Sequence, residues 1–425
     1  MRRNPINRDW KTSSQPPATN AKHRSTAAEF QSEIPSLRAG SGYSWRAACG
    51  RNIRMSNDDR EWQIKQKKLG AFLQRHGLDG VVLWHRSNFA WATGGGDNHI
   101  ANNSPVGVAA ILATAESRLC LANTIEAPRM QQEELAGLGI DVVSFPWYDR
   151  AAAQKIAQEV FGGLRLATDA DELGLGLPPL PADFAQLRWS LTEAEIARYR
   201  DGGKRASQAI EQACRQLKPG MTEHEVAGIL DHCVHAAGCN PVVTLISADE
   251  RLTQFRHPIP TSLKIRRHVM LVSCAEFGGL ISNLTRFVHF GRLPEELRRK
   301  QQAICNIDAA VNLATRPGRT LGQIFQDLQA AYAREGWPDQ WQLHHQGGST
   351  GYVAREAFAT PDSAVQVLEN QAFAWNPSIV GAKSEDTVLI SSQGLDVLTA
   401  ASVDFPTVLG VSDLGTLPRA GILEL

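Results

Sequence analysis

Apolar and polar positions follow two different periods along this chain. Residues 62–76 place Leu69, Phe72 and Leu73 on one side of a helix, with the spacing of an amphipathic helix. Short apolar runs bounded by turns follow, and they predict buried strands. These runs are 80–84, 106–114, 118–123 and 140–145. The helix–strand alternation predicts a small α/β domain over 58–185, which a proline-rich segment closes.

An internal repeat follows. Residues 218–238 (KPGMTEHEVAGILDHCVHAAG) and 316–336 (RPGRTLGQIFQDLQAAYAREG) share one layout, at a constant offset of 98 positions. In each copy a Pro-Gly turn precedes a threonine, Thr222 or Thr320, that can cap the helix, and a glycine follows the helix end. Five matches in register favour duplication over a chance sharing of common caps.

Strand-like runs come after each copy of the repeat. A capping box at Thr192 and Glu195 opens a long helix before the first copy. The strand-like runs are 242–247, 269–277, 280–291, 371–380 and 385–391. Two halves of helices and sheet predict a pseudo-symmetric α+β domain over 190–415.

Composition narrows the class of protein. Hydrophobic residues make up 43% and charged residues 21%, as in ordinary globular domains. Lys plus Arg and Asp plus Glu number 44 each, which argues against nucleic acid as a partner. No run of eighteen apolar residues predicts a membrane span. The seven cysteines are widely spaced without a CxxC pair, which indicates a reduced, cytoplasmic protein.

The first 54 residues differ from the rest of the chain. They carry ten Lys or Arg against three acidic residues, are rich in Ser, Asn and Pro, and show no helical apolar stripe. One interpretation is an Arg- and Ser-rich transit peptide. The other is a disordered or non-native extension, residues 1–57, ahead of a protein that begins near Met55.

Four segments within 60–405 resemble the M24 family, which includes Xaa-Pro aminopeptidases, prolidases, methionine aminopeptidases and creatinase. KPGMTEHEV is similar to a common helix start of the family. AEFGGLISNLTRFVHFG (275–291) resembles its Asp-bearing hairpin, HHQGGSTGYVARE (344–356) its His segment, and NPSIVGAKSEDTVLI (376–390) its two-Glu segment. The resemblance implies a pita-bread (creatinase/aminopeptidase) C-terminal domain, a creatinase-type N-terminal α/β domain and a homodimer.

The resemblance also implies where a metal centre would lie. Peptidases of the family hold two metal ions with two Asp, one His and two Glu, and the ions activate a water. Those positions correspond here to Val272, Asn283, Gly348, Asn376 and Glu385. Valine and glycine offer no ligand and asparagine offers only a neutral oxygen. The sequence therefore predicts neither a metal nor a cofactor. An Xaa-Pro aminopeptidase with an atypical metal site is the alternative.

Creatinase, in the same family, cleaves a C–N bond without metal and uses a histidine as acid and base. The resemblance places that histidine at His257, and a second, substrate-contacting one at His344. Amides in place of acidic residues, together with nearby arginines, predict an anionic or zwitterionic substrate. The substrate-binding candidates are Arg256, Asn283, Arg286, His345, Arg355 and Asn376.

The catalytic candidates are two histidines and two glutamates. A histidine moves protons near neutral pH, which suits His257. His344 and His345 are adjacent on a predicted strand and would point to opposite faces, so only His344 is expected in the pocket. Glu356 or Glu385 would position a water. For Glu356, a structural Arg–Glu pair is the alternative.

Two other features complete the list of candidates. Cys274 is either a thiolate nucleophile or, more commonly for a strand cysteine, a core residue. The glycine-rich loop 93–103, with Asp97, Asn98 and His99, either lines the partner's pocket in a dimer or is a flexible surface loop.

The sequence thus predicts a metal-independent hydrolase of a C–N bond in a small nitrogen-containing molecule. An inactive homologue that binds a peptide or metabolite is the alternative from a different class. The predicted partners are a small-molecule substrate and a second copy of the chain, with no nucleic acid and no membrane.

Overall fold

The computed structural model describes residues 57–425. The predictions about the first 56 residues lie outside the described residues. Within the described part, no helix is long and apolar enough to cross a membrane.

The N-terminal part begins with helix α1, Asn57–His76, which buries Leu69, Phe72 and Leu73 as predicted. Beneath it lies a mixed sheet of five strands, all within the described residues, in the order β4-β3-β2-β1-β5. The strands are β1 (Gly80–His85), β2 (Val106–Thr114), β3 (Arg118–Asn123), β4 (Asp141–Phe145) and β5 (Leu166–Thr168). The remaining helices of this part are α2 (Arg86–Thr93), α3 (Ala127–Arg129) and α4 (Arg150–Phe161). The predicted α/β alternation is confirmed.

Two short helical turns connect these elements. A π-helical turn, Met130–Glu134, continues α3, and a 3₁₀ turn, Ala182–Arg188, leads towards the C-terminal part. The boundary between two domains near residue 185 stays a prediction, because residues from both sides share one hydrophobic core. Phe72, Trp91, Tyr199 and others pack in it.

The first half of the C-terminal part contains two long helices, one short helix and an antiparallel sheet. Helix α5 spans Glu193–Gln216, α6 spans Glu223–Ala236 and α7 spans Arg251–Gln254. Three strands pair in sequence order: β6 (Asn240–Ala248), β7 (His268–Phe277) and β8 (Leu280–His289). A capping box opens α5 at Thr192, as predicted, and the predicted threonine cap of α6 at Thr222 is also part of a capping box.

The second half repeats this layout with helices α8, Glu295–Ala314, and α9, Leu321–Arg334. Its main sheet has the order β10-β9-β11-β14-β15. The strands of that sheet are β9 (Gly347–Thr350), β10 (Ala357–Phe358), β11 (Gln371–Trp375), β14 (Asp386–Ser391) and β15 (Gly394–Val397). Two further strands, β12 (Ser378–Ile379) and β13 (Ala382–Lys383), pair with each other. The chain ends with β16 (Thr407–Ser412), β17 (Gly415–Ala420) and β18 (Ile422–Glu424), the last of which pairs parallel with β8.

Equivalent backbone bonds relate the two halves. The Gly220 N–H donates to the Ile265 carbonyl at 2.8 Å, and the Gly318 N–H donates to the Val367 carbonyl at 2.9 Å. Both glycines have positive φ, +92° and +86°, which glycine adopts at little cost. A capping box opens α9 at Thr320 as well. The repeated helix starts predicted from the sequence are thus confirmed.

A buried polar cluster ties the N-terminal part to α5. Lys65 on α1 pairs with Glu61 at 2.5 Å and with Glu195 at 2.9 Å. The Tyr352 hydroxyl donates to Glu195 at 2.6 Å. Buried charges persist when they are paired and hydrogen-bonded, so this cluster fixes α1 against the C-terminal part.

Candidate active site

Three histidines meet at one edge of the second half. His257 lies in the loop after α7, and His344 and His345 follow a 3₁₀ turn at Gln340–Leu343. The Nε2 atoms of His257 and His344 are 2.9 Å apart. The His345 ring centroid lies 5.3 Å from that of His257 and 4.5 Å from that of His344. His257 is exposed, whereas His344 is only 9% exposed.

The expectation that His344 and His345 point to opposite faces is wrong, whereas a small cavity beside the three histidines is lined by His344 and not by His345. Strict alternation of side chains holds inside a strand, but β9 begins only at Gly347. His344 and His345 precede it, and their rings stack with an interplanar angle of 24°. Both therefore lie beside His257.

The surroundings of the three histidines favour their neutral form, because each pKa is lowered. Burial, with the nearby Lys383 second, lowers the pKa of His257 and brings that of His344 to about 2. Burial and the charge of Arg355 bring the pKa of His345 to about 4. Neutral imidazoles can accept protons or bind ligands, which imidazolium ions cannot.

The hydrogen bond between His257 and His344 constrains their tautomers. One Nε2 must carry the proton and the other must accept it. The Nδ1 of His344 is buried and has no partner among the described residues. An unpaired N–H there costs more than an unpaired lone pair, so we assign the bonding proton to His344 Nε2. His257 then accepts at Nε2 and carries its own proton on Nδ1.

A charged triad faces these histidines. Glu385 is 3% exposed, and its carboxylate pairs with Lys383 at 2.8 Å and with Arg355 at 3.1 Å. The Thr285 hydroxyl donates to it at 2.7 Å. Burial raises the pKa of Glu385, but Lys383 and Arg355 outweigh this effect and hold the pKa at about 2. The triad therefore carries one net positive charge.

Lys383 was missed in the sequence analysis. It lies two positions before Glu385, and side chains at i and i+2 of an extended segment share a face. That spacing was the available signal. Lys383 also lines a small cavity beside the cluster together with Arg256 and His344.

The five residues that the resemblance places at the family's ligand positions do not fit a pair of metal ions. A Cβ placed on Gly348 would lie 2.0 Å from the Ala357 carbonyl oxygen, so this position cannot carry a ligand side chain without a backbone shift. Val272 is apolar and 3% exposed. Glu385, the remaining carboxylate, is already neutralised by two side-chain cations. Two adjacent divalent ions need several carboxylates, so no reaction step is derived through them.

The two asparagines at ligand positions behave differently. Asn283 accepts from the Cys274 thiol at 3.0 Å and donates to the Thr350 hydroxyl at 2.9 Å, so internal bonds use both ends of its amide. The Oδ1 of Asn376 is buried and has no hydrogen-bond partner among the described residues. The same holds for Nε of Arg355. Asn376 and Arg355 thus each keep an unused hydrogen-bonding atom, whereas the amide of Asn283 does not.

The other two arginine candidates, Arg286 and Arg256, lie in different places. Arg286 is fully buried and donates to Asp386 at 2.9 Å and to the Thr399 carbonyl at 2.7 Å. It supports the interior rather than the pocket. Arg256 donates to Gln340 at 3.1 Å and lines the cavity.

Glu356 does not join the site. It forms a two-pronged pair with Arg188, at 2.7 and 3.2 Å, with both side chains buried. The geometry matches the structural alternative, except that the arginine partner is Arg188 and not the neighbouring Arg355. Both carboxylate oxygens of Glu356 are therefore engaged by Arg188.

The last two candidates are Cys274 and the loop 93–103. Burial raises the pKa of Cys274 to about 12, so its thiol is not an activated nucleophile. In the loop 93–103, Asn98 is buried and donates to the carbonyls of Trp84 and Ala109. Asp97 and His99 pair with each other. A role of this loop in a partner's site stays a prediction.

Comparison with known proteins agrees with this architecture. Residues 197–392 match the sequence profile described as Metallopeptidase family M24. An uncharacterized peptidase of Staphylococcus aureus (strain MW2) is 23% identical over 222 residues, which covers 50% of this chain. The aligned part spans 63% of that relative's length. Residues 197–392, from helix α5 to the end of strand β14, are thus similar to the M24 family.

Solved structures show the same fold. The prolidase from Pyrococcus horikoshii OT3 superposes with a TM-score of 0.67 at 20% identity, covering 80% of this chain and 99% of the prolidase. The X-Pro aminopeptidase from Thermotoga maritima MSB8 gives a TM-score of 0.67 at 16% identity, covering 85% of this chain and all of the other. At these identities the likeness concerns the fold. The predicted pita-bread fold with its N-terminal domain is confirmed.

Proposed function

We propose that this protein is an M24-type hydrolase that cleaves a C–N bond without the dinuclear metal centre of its family. The observation that carries the proposal is the buried triad Lys383–Glu385–Arg355, in which two side-chain cations balance the one retained ligand carboxylate. Its net positive charge would hold an anionic group of a substrate. The predicted homodimer and cytoplasmic location stay predictions.

His257 is the group best suited to move protons. It is exposed to incoming substrate, and burial together with Lys383 lowers its pKa, which keeps it neutral and ready to act as a base. The lone pair of His257 is on Nε2, so the attacking water would replace the His344 N–H there, and His257 would take a proton from that water as the oxygen attacks the carbon of the C–N bond. It would then return that proton to the leaving nitrogen as the bond breaks. Until that water enters, His344 orients His257 through the 2.9 Å contact.

The surroundings of the site support a substrate with a carboxylate and an apolar part. Arg355 and Lys383 would bind the carboxylate, and the free acceptor of Asn376 would take an N–H. Large apolar side chains close to the histidines in sequence or space are about half exposed. They are Phe255 (48%), Leu343 (55%) and Phe358 (53%). The Phe358 ring lies 5.1 Å from His345. An N-acyl amino acid or a short peptide has both parts.

The test is turnover by the chelator-treated, full-length chain on N-acyl amino acids and dipeptides, including Xaa-Pro, followed by mass spectrometry. Each compound is also supplied as its methyl ester. We expect hydrolysis of free acids, at least tenfold slower turnover of the esters, and the same rate with and without chelator.

Two variants separate an enzyme from a binding protein. His257→Ala should abolish turnover while the substrate still binds, whereas His235→Ala, an exposed histidine on α6, should turn over like wild type. Binding without turnover in the wild type would instead indicate the inactive homologue. Turnover that appears only after addition of Mn²⁺ or Co²⁺ would contradict the metal-free proposal.

A further inference from the structure

We propose that His257, His344 and His345 form a site for one divalent transition-metal ion, apart from the five family ligand positions. Each of the three side chains offers a ring nitrogen, and these nitrogens all lie within 4.8 Å of one another. They come from two loops, with His344 and His345 held next to each other by ring stacking and His257 reaching across to them.

The ligand set selects the class of ion. Imidazole nitrogen suits Zn²⁺, Cu²⁺, Ni²⁺ and Co²⁺, whereas Mg²⁺ and Ca²⁺ require oxygen ligands. Zinc takes three histidines at about 2.0–2.1 Å and keeps a fourth position for water or another small ligand. Two nitrogens on one such ion are roughly 3.4 Å apart in tetrahedral geometry. The Nε2 atoms of His257 and His344 are 2.9 Å apart, so coordination through both would replace the hydrogen bond between them and would move the exposed His257 by only about half an ångström.

Unpaired nitrogens are a second observation that points to a ligand. The Nδ1 atoms of His344 and His345 are buried and have no hydrogen-bond partner among the described residues. Buried polar atoms are normally paired. An ion coordinated by Nδ1 of His345 would give that atom the partner it lacks.

Neighbouring charges define the fourth ligand. Lys383 and Arg355 would repel a bare divalent ion, and Glu385 offsets only one of them. An anion in the open position restores the balance, because it binds the ion and the side-chain cations together. Chloride, hydroxide or a substrate carboxylate has this chemistry.

This inference rests on the proposed function for its effect on activity, although not for binding. An ion on the three histidines occupies the lone pair that His257 needs for proton transfer. Occupancy should therefore inhibit the metal-free reaction, with a sign opposite to that of a metallopeptidase.

The experiment titrates Co²⁺ into the chelator-treated full-length protein in a non-chelating reductant and records the visible absorption of the bound ion. Zn²⁺ is then added in competition. We expect one Co²⁺ per chain with the intense bands of a four- or five-coordinate ion, displaced by one Zn²⁺. His345→Ala and His257→Ala should each weaken binding at least tenfold, whereas His235→Ala should bind like wild type. His257 is exposed, so its variant tests the site even if the His345 variant fails to fold.

The outcomes separate the two proposals. Unchanged binding by the His257 and His345 variants, or no binding by the wild type, would overturn the site and leave the proposed function standing. Binding of the ion accompanied by inhibition of hydrolysis supports both the metal site and its inhibitory effect. Binding accompanied by stimulation would overturn both the inhibitory effect and the metal-free reaction.

Discussion

The two halves of the C-terminal part share a backbone layout but carry different side-chain chemistry. In the first half, Cys274 on β7 faces Asn283 on β8, and their neutral side chains bond to each other at 3.0 Å. The residues 102 positions later are Asn376 and Glu385. Glu385 belongs to a buried ionic triad, whereas its counterpart Asn283 is bonded only to neutral groups.

This difference shows that the layout and the chemistry are maintained by separate sets of residues. Glycine turns and threonine caps set the helix starts in both halves with nearly equal bond lengths. The pocket residues lie elsewhere, on the strands and the loops beside them. Substitutions in the pocket therefore leave the glycine turns and threonine caps unchanged, even where they cost stability.

The largest expected effect comes from removing the charge at the centre of the triad. Glu385→Gln leaves Lys383 and Arg355 buried without their carboxylate, and should lower the free energy of unfolding by about 3–5 kcal/mol. Asn283→Ala, the matched change in the first half, breaks only neutral bonds and should cost about 1–3 kcal/mol. Urea denaturation measures both. Equal costs would contradict the proposed difference between the halves.

Acid should reveal the same triad through its pH dependence. The folded-state pKa of Glu385 is about 2 against an ordinary 4.5, so the unfolded state binds more protons between these values. This contribution, about 3 kcal/mol, is complete above pH 4.5 and is lost as the pH falls towards 2. The difference in unfolding free energy between wild type and Glu385→Gln should shrink over that window. A constant difference would show that Glu385 is not held ionised.

His345 should give a smaller effect in a higher pH window. Its folded-state pKa of about 4 lies below the ordinary 6.5, so stability falls as the pH drops from 6.5 towards 4. The variant His345→Gln lacks this titrating group. Its free energy of unfolding should therefore fall by about 2 kcal/mol less than that of wild type over that window, allowing for partial solvent screening. Thermal unfolding from pH 7 to 4 tests this prediction, with His235→Gln as the control. Parallel curves for wild type and His345→Gln would contradict it.

The threonine caps of the two halves should contribute equally to the free energy of unfolding. Thr222→Ala and Thr320→Ala each remove a side-chain oxygen that accepts from a backbone N–H, from Glu225 and Gln323 respectively. Each should cost about 1 kcal/mol, and the serine variants should recover most of that. Chemical denaturation of the four variants measures the costs. A clear inequality between the two caps would mean that the repeated layout is not energetically equivalent.

Local signals made most of the fold predictable from the sequence. Strand runs, capping boxes and the Pro-Gly turns depend on residues within a few positions of each other. The site depends on distant pairs. His257 meets His344 across 87 positions, and Glu356 pairs with Arg188 across 168. Such pairings follow from the packing of whole elements, so the partners of Glu356 and the joint position of His344 and His345 were not apparent.

The close approach of β9 to β10 has a consequence for the possible histories of this chain. Gly348 has φ +150° and no room for a Cβ beside the Ala357 carbonyl. A codon change to histidine would therefore displace a neighbouring strand before it supplied a ligand. From the present sequence, single substitutions do not lead to a dinuclear metalloenzyme. The side chains of the pocket can change freely around this packing, but a histidine at position 348 first requires the β9–β10 pairing to open.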